Sequence, residues 1–308
     1  MLVPRLVRRL TLEPASHPRG QGHLSSASGL ARVGHCIYVV SDDEHHLARL
    51  DADDPGNSRI ALVRFVAGEL PHEGAERKRQ KPDVEVLLHL TCAVAGERDL
   101  LVLLGSGSRS QRERVFIMAL HPDGEIAAAP LEIAATRFYA PLRDLFAEPN
   151  LEAGYFDGVH LHLFQRANRG QPLNARVTYD AAEVLAWLRG PGPAPRPIDV
   201  RMFELGSHDG VPFGITDAAR WARGGCVFTA VAEDTADAYR DGACVASMVG
   251  WMASDGQVRA CENLAGAPKV EGIAPVGAGR LWLVTDSDDP ACASELLEVE
   301  WDPQSAHR

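Results

Sequence analysis

Short apolar runs separated by glycine turns recur along the chain and predict a repeated all-β structure. Five units share one order: a first apolar strand, a turn that contains glycine, a second and more apolar strand, and a polar exit. The second strands are residues 37–40, 100–104, 160–164, 226–229 and 281–284. Apolar runs of this length, bounded by glycine and polar clusters, are typical of buried strands.

The units repeat at intervals of about sixty residues, as expected for the blades of a β-propeller. Aligned near the start of the first strand, they place five residues in equivalent positions: Ser28, Glu85, Glu152, Phe213 and Glu271. We therefore predict one propeller domain over residues 1–308, with five four-stranded blades. Six blades are the alternative, if the longer step between Glu85 and Glu152 contains an additional short blade.

Residues 6–12 form a strand-like segment that belongs to no complete unit. In propellers, such a leftover strand often completes the last blade and removes open sheet edges. We expect it to close the ring. Two insertions interrupt the repeat: the highly charged residues 69–81, and residues 180–197, in which residues 181–188 predict a short surface helix.

Net charge and composition limit the kinds of molecule that this protein is expected to bind. The 308 residues carry a formal charge of −11, and 6% of them are aromatic. Because no basic stripe offsets the negative charge, nucleic acids and membranes are not expected partners. The first twelve residues lack the apolar run of a signal peptide or membrane span, which favours a cytoplasmic location. Six cysteines without C-x-x-C spacing favour reduced thiols over a disulfide framework or a zinc site.

Three of the five equivalent positions carry glutamate. Because the first strand of each blade lines the channel of a propeller, Glu85, Glu152 and Glu271 are expected to face one another. Like charges at close range raise each other's pKa unless a cation neutralises them. Oxygen donors suit Ca²⁺ or Mg²⁺, so we predict that these three glutamates bind one of these ions. The alternative is a structural role, in which each glutamate caps backbone N–H groups.

The exits of the second strands supply the candidate catalytic groups. Asp42 and Arg166 each lie fourteen residues after the aligned position of their own units, so one hairpin length places them at one level. Asp42, Glu233 or Asp286 is the predicted proton acceptor. Arg166 is predicted to steady a developing oxyanion, although it is equally suited to be the counter-charge of the glutamates without any metal.

Two further motifs are interpreted as structural. Residues 105–108, with the sequence GSGS, lack the lysine of a phosphate-binding loop and the G-x-S-x-G pattern of a nucleophile elbow, so they predict a tight turn. His160 and His162 lie on one face of a strand, but no second cluster at metal spacing accompanies them. Solvent-facing or core positions are therefore favoured for both histidines.

Several short motifs together carry a family resemblance. They are residues 81–85, 105–108 with 112–114, 163–168, 232–234 with 241–242, and 269–273. On these motifs, most of the chain resembles the uncharacterised bacterial propeller proteins grouped near the esterase-like phytase propellers. The resemblance implies a propeller with a polar axial face.

These observations predict a metal-dependent hydrolase of esters, lactones or phosphoesters. The cation would polarise the substrate and lower the pKa of a bound water. The expected partner is a small-molecule ligand or substrate, and the sequence leaves the oligomeric state open. The alternative is a non-catalytic scaffold that binds a small ligand or another protein, because propellers carry both kinds of function.

Overall fold

The computed structural model describes residues 1–92, 94, 96–190, 192–235, 242–277 and 279–304. Its strands form five antiparallel sheets arranged as a five-bladed β-propeller, which confirms the predicted fold. The inner strands of neighbouring blades contact one another around the whole ring. The cores lie between adjacent blades, each built from apolar residues of two sheets.

The strands follow the chain blade by blade. Strand β1 is Arg5–Arg9. Blade 1 contains β2 (Ala27–Val33), β3 (Cys36–Ser41), β4 (His46–Asp51) and β5 (Ala61–Arg64). Blade 2 contains β6 (Val84–Leu90), β7 (Leu100–Gly105), β8 (Arg114–Ala119) and β9 (Leu131–Ala134). Blade 3 contains β10 (Leu151–Phe156), β11 (His160–Gln165), β12 (Asn174–Asp180) and β13 (Asp199–Phe203).

Blade 4 contains the two-residue strand β14 (Ser207–His208), β15 (Val211–Arg220), β16 (Cys226–Glu233), β17 (Cys244–Met252) and β18 (Val258–Asn263). Blade 5 contains β19 (Val270–Gly277), β20 (Arg280–Thr285) and β21 (Glu295–Glu300), and β1 is its outer strand. Because β1 pairs antiparallel with β21, the N-terminal strand closes the ring as predicted.

Helices occupy the connections between strands. They are α1 (Gly74–Gln80), α2 (Thr136–Leu145) and α3 (Ala181–Arg189). The side chain of Asp180 caps α3 by accepting from the N–H of Glu183, which confirms the helix predicted in the second insertion. Helix α1 begins at a similar cap, where Glu73 accepts from the N–H groups of Ala75 and Glu76. No helix within the described residues has the length and apolarity needed to cross a membrane.

Every inner strand carries a bulge, which lies near the start of the strand in all of them except β15. The extra residues are Ser28 in β2, Glu85 in β6, Glu152 in β10, Thr216 in β15 and Glu271 in β19. A bulge re-aims the side chain of its extra residue. The alignment of Phe213 with the glutamates is therefore wrong. Strand β15 begins earlier relative to its bulge than the other inner strands, and Phe213 packs in the core between blades 3 and 4.

Side chains at the two remaining bulges tie neighbouring inner strands together. The hydroxyl of Ser28 donates to the carbonyl of Val84, and the hydroxyl of Thr216 donates to the carbonyl of Val270, both at 2.7 Å. These carbonyls directly precede the glutamates at positions 85 and 271. The hydroxyl bulges thus help to fix the backbone from which the axial glutamates project.

The apolar packing beside the closing strand β1 is expected to contribute to the stability of the folded protein. Leu10 directly follows β1, is fully buried and packs in the core between blades 1 and 5. Leu10→Ala is expected to lower the free energy of unfolding by about 2–4 kcal/mol, because it leaves a cavity at the closure. Leu6→Ala on the same segment removes a side chain that is 47% exposed and is expected to cost less than about 1 kcal/mol. Urea denaturation measures the free energy of unfolding of both variants. Equal losses in Leu10→Ala and Leu6→Ala would contradict a special contribution of Leu10 to ring closure.

Candidate functional site: the axial pocket

One end of the central channel opens into a charged pocket, which we call the axial pocket. It is lined by Ser28, Asp42, Lys78, Lys81, Asp83, Glu85, Arg112, Asn150, Glu152, Arg166, Ala167, Asn168, Glu233, Thr235, Lys269, Glu271, Asp286 and Asp288. The bulges of the inner strands and the exits of the second strands meet here. The cavity volume is about 90 Å³, which is room for several water molecules or a hydrated ion.

Arg166 lies among three glutamates from different blades. Its Nη1 is 3.3 Å from Oε2 of Glu152, and its Nη2 is 2.5 Å from Oε2 of Glu233. A third oxygen, Oε1 of Glu271, is 3.8 Å from Nη1. Burial alone would lower the pKa of Arg166, but these carboxylates raise it above its ordinary value. The guanidinium is thus a built-in cation at the centre of the pocket.

Glu152 and Glu271 differ in how their oxygens are satisfied. Burial raises the pKa of Glu152, although Oε1 accepts a hydrogen bond of 2.5 Å from Nδ2 of Asn150. Oε1 of Glu271 is buried without a hydrogen bond to the described residues, and Nζ of Lys269 lies 3.8 Å from it. Burial raises the pKa of Glu271 to about 8, despite the opposing effect of Arg166 and Lys269. Glu271 therefore holds a proton at neutral pH.

A second charge cluster surrounds Asp83 on the neighbouring wall. Nζ of Lys81 contacts Asp42 and lies 2.9 Å from Oδ1 of Asp83. Nη1 of Arg112 lies 2.8 Å from Oδ2 of Asp83, and the hydroxyl of Ser106 donates to that oxygen at 2.5 Å. Burial would raise the pKa of Asp83, but Lys81 and Arg112 hold it below its ordinary value. Asp83 is therefore ionised and fully paired.

Glu85 is the exception among these carboxylates. It makes no hydrogen bond or ion pair within the part of the chain that the structure describes. Burial, followed by the charges of Glu152 and Asp83, raises its pKa well above the ordinary value. One carboxylate oxygen each from Asp42, Asp83 and Glu85 lies within 4.8 Å of the others. Among the described residues of the axial pocket, these three carboxylates form a group close enough to share one cation.

Asp286 lies on the wall formed by blade 5. Its Oδ1 accepts from the backbone N–H of Asp288 at 2.9 Å, whereas Nζ of Lys269 pairs with Asp288 at 2.6 Å. Burial raises the pKa of Asp286 to about 7, and Lys269 opposes this shift. A carboxylate of this pKa can exchange a proton near neutral pH.

The charged insertion lies over one side of the pocket. Nε of Arg77 in α1 is 3.1 Å from Oδ2 of Asp43, and Lys78 of the same helix lines the pocket. Lys81, directly after α1, reaches Asp42 as described above. The insertion thus supplies positive charge to a mouth that is otherwise acidic.

All seven residues predicted from the sequence as catalytic or metal-binding line the axial pocket. The structure arranges them differently from a simple ring of three glutamates. Glu152 and Glu271 share Arg166, whereas Glu85 groups with Asp42 and Asp83. The predicted metal ligation by Glu85, Glu152 and Glu271, and the predicted roles of Asp42, Glu233, Asp286 and Arg166, remain predictions.

Sequence reasoning missed five charged residues of the pocket: Lys78, Lys81, Asp83, Arg112 and Lys269. A signal for two of them is present in the sequence, because Lys81 and Lys269 precede the axial glutamates 85 and 271 by four and two residues. Arg112 belongs to the turn after β7, and it contacts Asp83 in the segment directly before β6. Both residues lie outside the strands that were aligned, so the sequence repeat gave no signal for this ion pair.

Comparisons with known proteins place the chain in a family. The profile of a family of unknown function, DUF6929, matches residues 23–301, and the chain belongs to this family. No curated protein matches the sequence. The predicted link to the esterase-like phytase propellers remains a prediction.

Solved structures with a similar fold include three with described roles. A glutaminyl cyclase from Myxococcus xanthus is 12% identical, with a TM-score of 0.49 over 98% of each chain. A calcium-binding protein, regucalcin from Agrobacterium tumefaciens, is 13% identical, with a TM-score of 0.44 over 98% of this chain and 97% of that chain. A streptogramin B lyase is 10% identical, with a TM-score of 0.38 over 95% of this chain and 97% of that chain.

Proposed function

We propose that this member of the DUF6929 family binds a divalent cation, Ca²⁺ or Mg²⁺, in the axial pocket and hydrolyses a small ester, lactone or phosphoester there. The observation that carries the proposal is Glu85, an axial carboxylate without a partner among the described residues. Its oxygen lies within 4.8 Å of oxygens of Asp42 and Asp83. Ca²⁺ and Mg²⁺ prefer such all-oxygen donor sets.

The charge balance of the pocket supports a cation. Among the described residues that line it, eight are carboxylates and five are lysine or arginine. Lys81, Arg166 and Lys269 each pair closely with at least one carboxylate. Burial raises the pKa values of Glu85, Glu271 and Asp286, so the pocket favours the protonated forms of these acidic groups. A divalent cation would take the place of those protons.

The chemistry of hydrolysis would divide among the pocket residues. A bound cation supplies a Lewis acid that polarises the carbonyl or phosphoryl group and acidifies water. Asp286, with a pKa of about 7, is suited to accept the proton of the attacking water. Arg166 provides positive charge in the same pocket for a developing oxyanion. To bind the cation, Asp42 and Asp83 would give up part of their ion pairs with Lys81 and turn carboxylate oxygens toward the metal.

Glu85→Gln tests the cation site, because it removes one negative charge and keeps the shape of the side chain. The chelator-treated wild type is expected to bind one Ca²⁺ or Mg²⁺ in isothermal titration calorimetry and to release protons at pH 7. The variant is expected to bind at least about tenfold more weakly, in line with the loss of one ligand charge. Glu132→Gln is the matched control, since Glu132 is an exposed glutamate paired with Arg114 on the outside of blade 2. Equal affinities of Glu85→Gln and the wild type would contradict the site.

The small volume of the axial pocket favours a second candidate function, which is ion binding without catalysis. A cavity of about 90 Å³ is well below the roughly 300–1,000 Å³ of typical small-molecule sites, which suits an ion-binding protein without turnover. Wild type and Asp286→Asn should therefore be screened against esters, lactones and phosphoesters. Turnover that Asp286→Asn abolishes, with cation binding retained, supports hydrolysis. Cation binding without turnover supports the non-catalytic function.

A further inference from the structure

A second cluster of potential metal ligands lies at the opposite end of blade 3. It consists of Asp157, at the end of β10, and His160 and His162, at the start of β11. One ligand atom from each of the three side chains lies within 4.8 Å of the others. Asp157 follows Glu152 by five residue steps along β10, which at about 3.3 Å per residue places the cluster about 16 Å from the axial glutamate.

The turn between β10 and β11 holds Asp157 in position. Gly158 has a φ of +100°, a conformation that allows the chain to reverse tightly. Oδ1 of Asp157 accepts from the backbone N–H groups of Val159 and His160, both at 2.7 Å. The other oxygen, Oδ2, is thereby directed at the imidazoles, 3.1 Å from Nε2 of His162 and 3.7 Å from Nδ1 of His160.

The two histidines converge because they lie two residues apart on one strand face. Their ring centroids are 5.7 Å apart. His162 is buried, its ring stacks on Tyr155 with centroids 4.5 Å apart, and Nδ1 lies 3.1 Å from Oγ1 of Thr178 on β12. A hydrogen bond at the nitrogen that faces away from the cluster is the arrangement that orients a metal-binding imidazole. His160 is partly exposed, which leaves a path from solvent.

We propose that Asp157, His160 and His162 form a binding site for a divalent transition-metal ion, with Zn²⁺ as the representative ion. Two imidazoles and one carboxylate are a donor set for Zn²⁺ or Fe²⁺, whereas the oxygen donors of the axial pocket suit Ca²⁺ or Mg²⁺. Three protein ligands leave a coordination position for water or an exogenous ligand. The site is separate from the axial pocket and independent of the function proposed there.

Zinc titration of the full chain without an affinity tag, after chelator treatment, tests the proposal. The wild type is expected to bind one Zn²⁺, and Co²⁺ in its place is expected to give the visible absorption of a low-coordinate nitrogen- and oxygen-ligated ion. His160→Ala and Asp157→Asn are expected to weaken binding more than tenfold. Both variants retain the buried ring of His162, so they avoid the risk of unfolding that His162→Ala carries.

Matched variants identify where the metal binds. Thr178→Val keeps the shape of the side chain but removes the contact to Nδ1 of His162, and is expected to weaken binding about 10–100-fold. His208→Ala removes a histidine beside Asp209 in blade 4, a pair that no third potential ligand joins among the described residues, and is expected to bind as the wild type does. Glu85→Gln is likewise expected to retain Zn²⁺, and excess Ca²⁺ is not expected to displace it.

Two outcomes would overturn the site. One is a wild-type protein that binds no Zn²⁺, in which case His162 simply exchanges hydrogen bonds with Asp157 and Thr178. The other is Zn²⁺ binding that His160→Ala and Asp157→Asn leave unchanged, which would place the metal elsewhere. In that second outcome, loss of Zn²⁺ binding in Glu85→Gln would assign the metal to the axial pocket.

Discussion

Replacing Arg166 by methionine is expected to lower the free energy of unfolding by about 3–5 kcal/mol at pH 8. The guanidinium is buried between blades 3 and 4 and binds Glu152 and Glu233 directly. Methionine fills a similar volume but provides no charge, so both carboxylates would remain buried without their principal counter-charge. Urea denaturation in the presence of chelator measures the loss. At pH 5 the loss is expected to be smaller, because burial raises the pKa of Glu152 and this carboxylate can then take up a proton.

Two comparisons separate this charge effect from the general effect of removing an arginine. Arg201→Met removes an exposed arginine that is 2.8 Å from Asp199, and is expected to change stability by less than about 1 kcal/mol. Adding Glu152→Gln and Glu233→Gln to Arg166→Met removes the uncompensated charges and is expected to recover much of the lost stability. An Arg166→Met protein as stable as Arg201→Met would show that the glutamates do not depend on this cation.

The repeat was predictable from the sequence because each blade is one local unit with its own turns and apolar strands. Ring closure was also predictable, since the strand-like N-terminal segment had no partner of its own. Helix α2 was not predicted: it contains Pro141, and its buried face packs between blades 2 and 3, where Phe138 stacks on Tyr179 and Trp187. Its position depends on tertiary packing that the sequence repeat does not describe.

The sequence predicted which acidic residues and which arginine line the axial pocket, but it did not predict which of these side chains pair with one another. Equivalence of the bulge positions brought the three glutamates to one mouth, and the common hairpin length brought Asp42 and Arg166 beside them. A one-residue bulge has no reliable sequence signal, so the fourth position was assigned to Phe213 instead of Thr216. The pairing of Asp83 and Glu271 depends on side-chain directions and on Lys81 and Lys269, which come from connections outside the aligned strands.

Glu271→Gln is expected to stabilise the metal-free protein at alkaline pH. Burial raises the pKa of Glu271 to about 8 from an ordinary value of 4.5. The folded protein therefore binds this proton more tightly than the unfolded chain does. The resulting stabilisation is fully present below about pH 4.5 and is lost as the pH rises through about 8, a difference of up to roughly 4–5 kcal/mol. Glutamine resembles the protonated acid and keeps its neutral form at every pH.

Urea denaturation at pH 4, 6, 8 and 9 in chelator checks this expectation. The variant is expected to match the wild type within about 1 kcal/mol at pH 4 and to exceed it by several kcal/mol at pH 9. Glu132→Gln, an exposed glutamate beside Arg114, should follow the wild type at every pH. Parallel pH profiles for Glu271→Gln and the wild type would contradict proton binding by Glu271.

The same measurement with Ca²⁺ added connects the pH profile to the proposed cation site. A divalent ion that binds the folded protein stabilises it by mass action, and it does so most strongly where the acidic groups have lost their protons. The wild type at pH 9 should therefore regain stability with Ca²⁺, whereas Glu85→Gln should regain little. If Ca²⁺ has no effect at pH 9, the excess carboxylates of the axial pocket are neutralised by protons, Arg166 and the lysines alone, and the cation-dependent function is excluded.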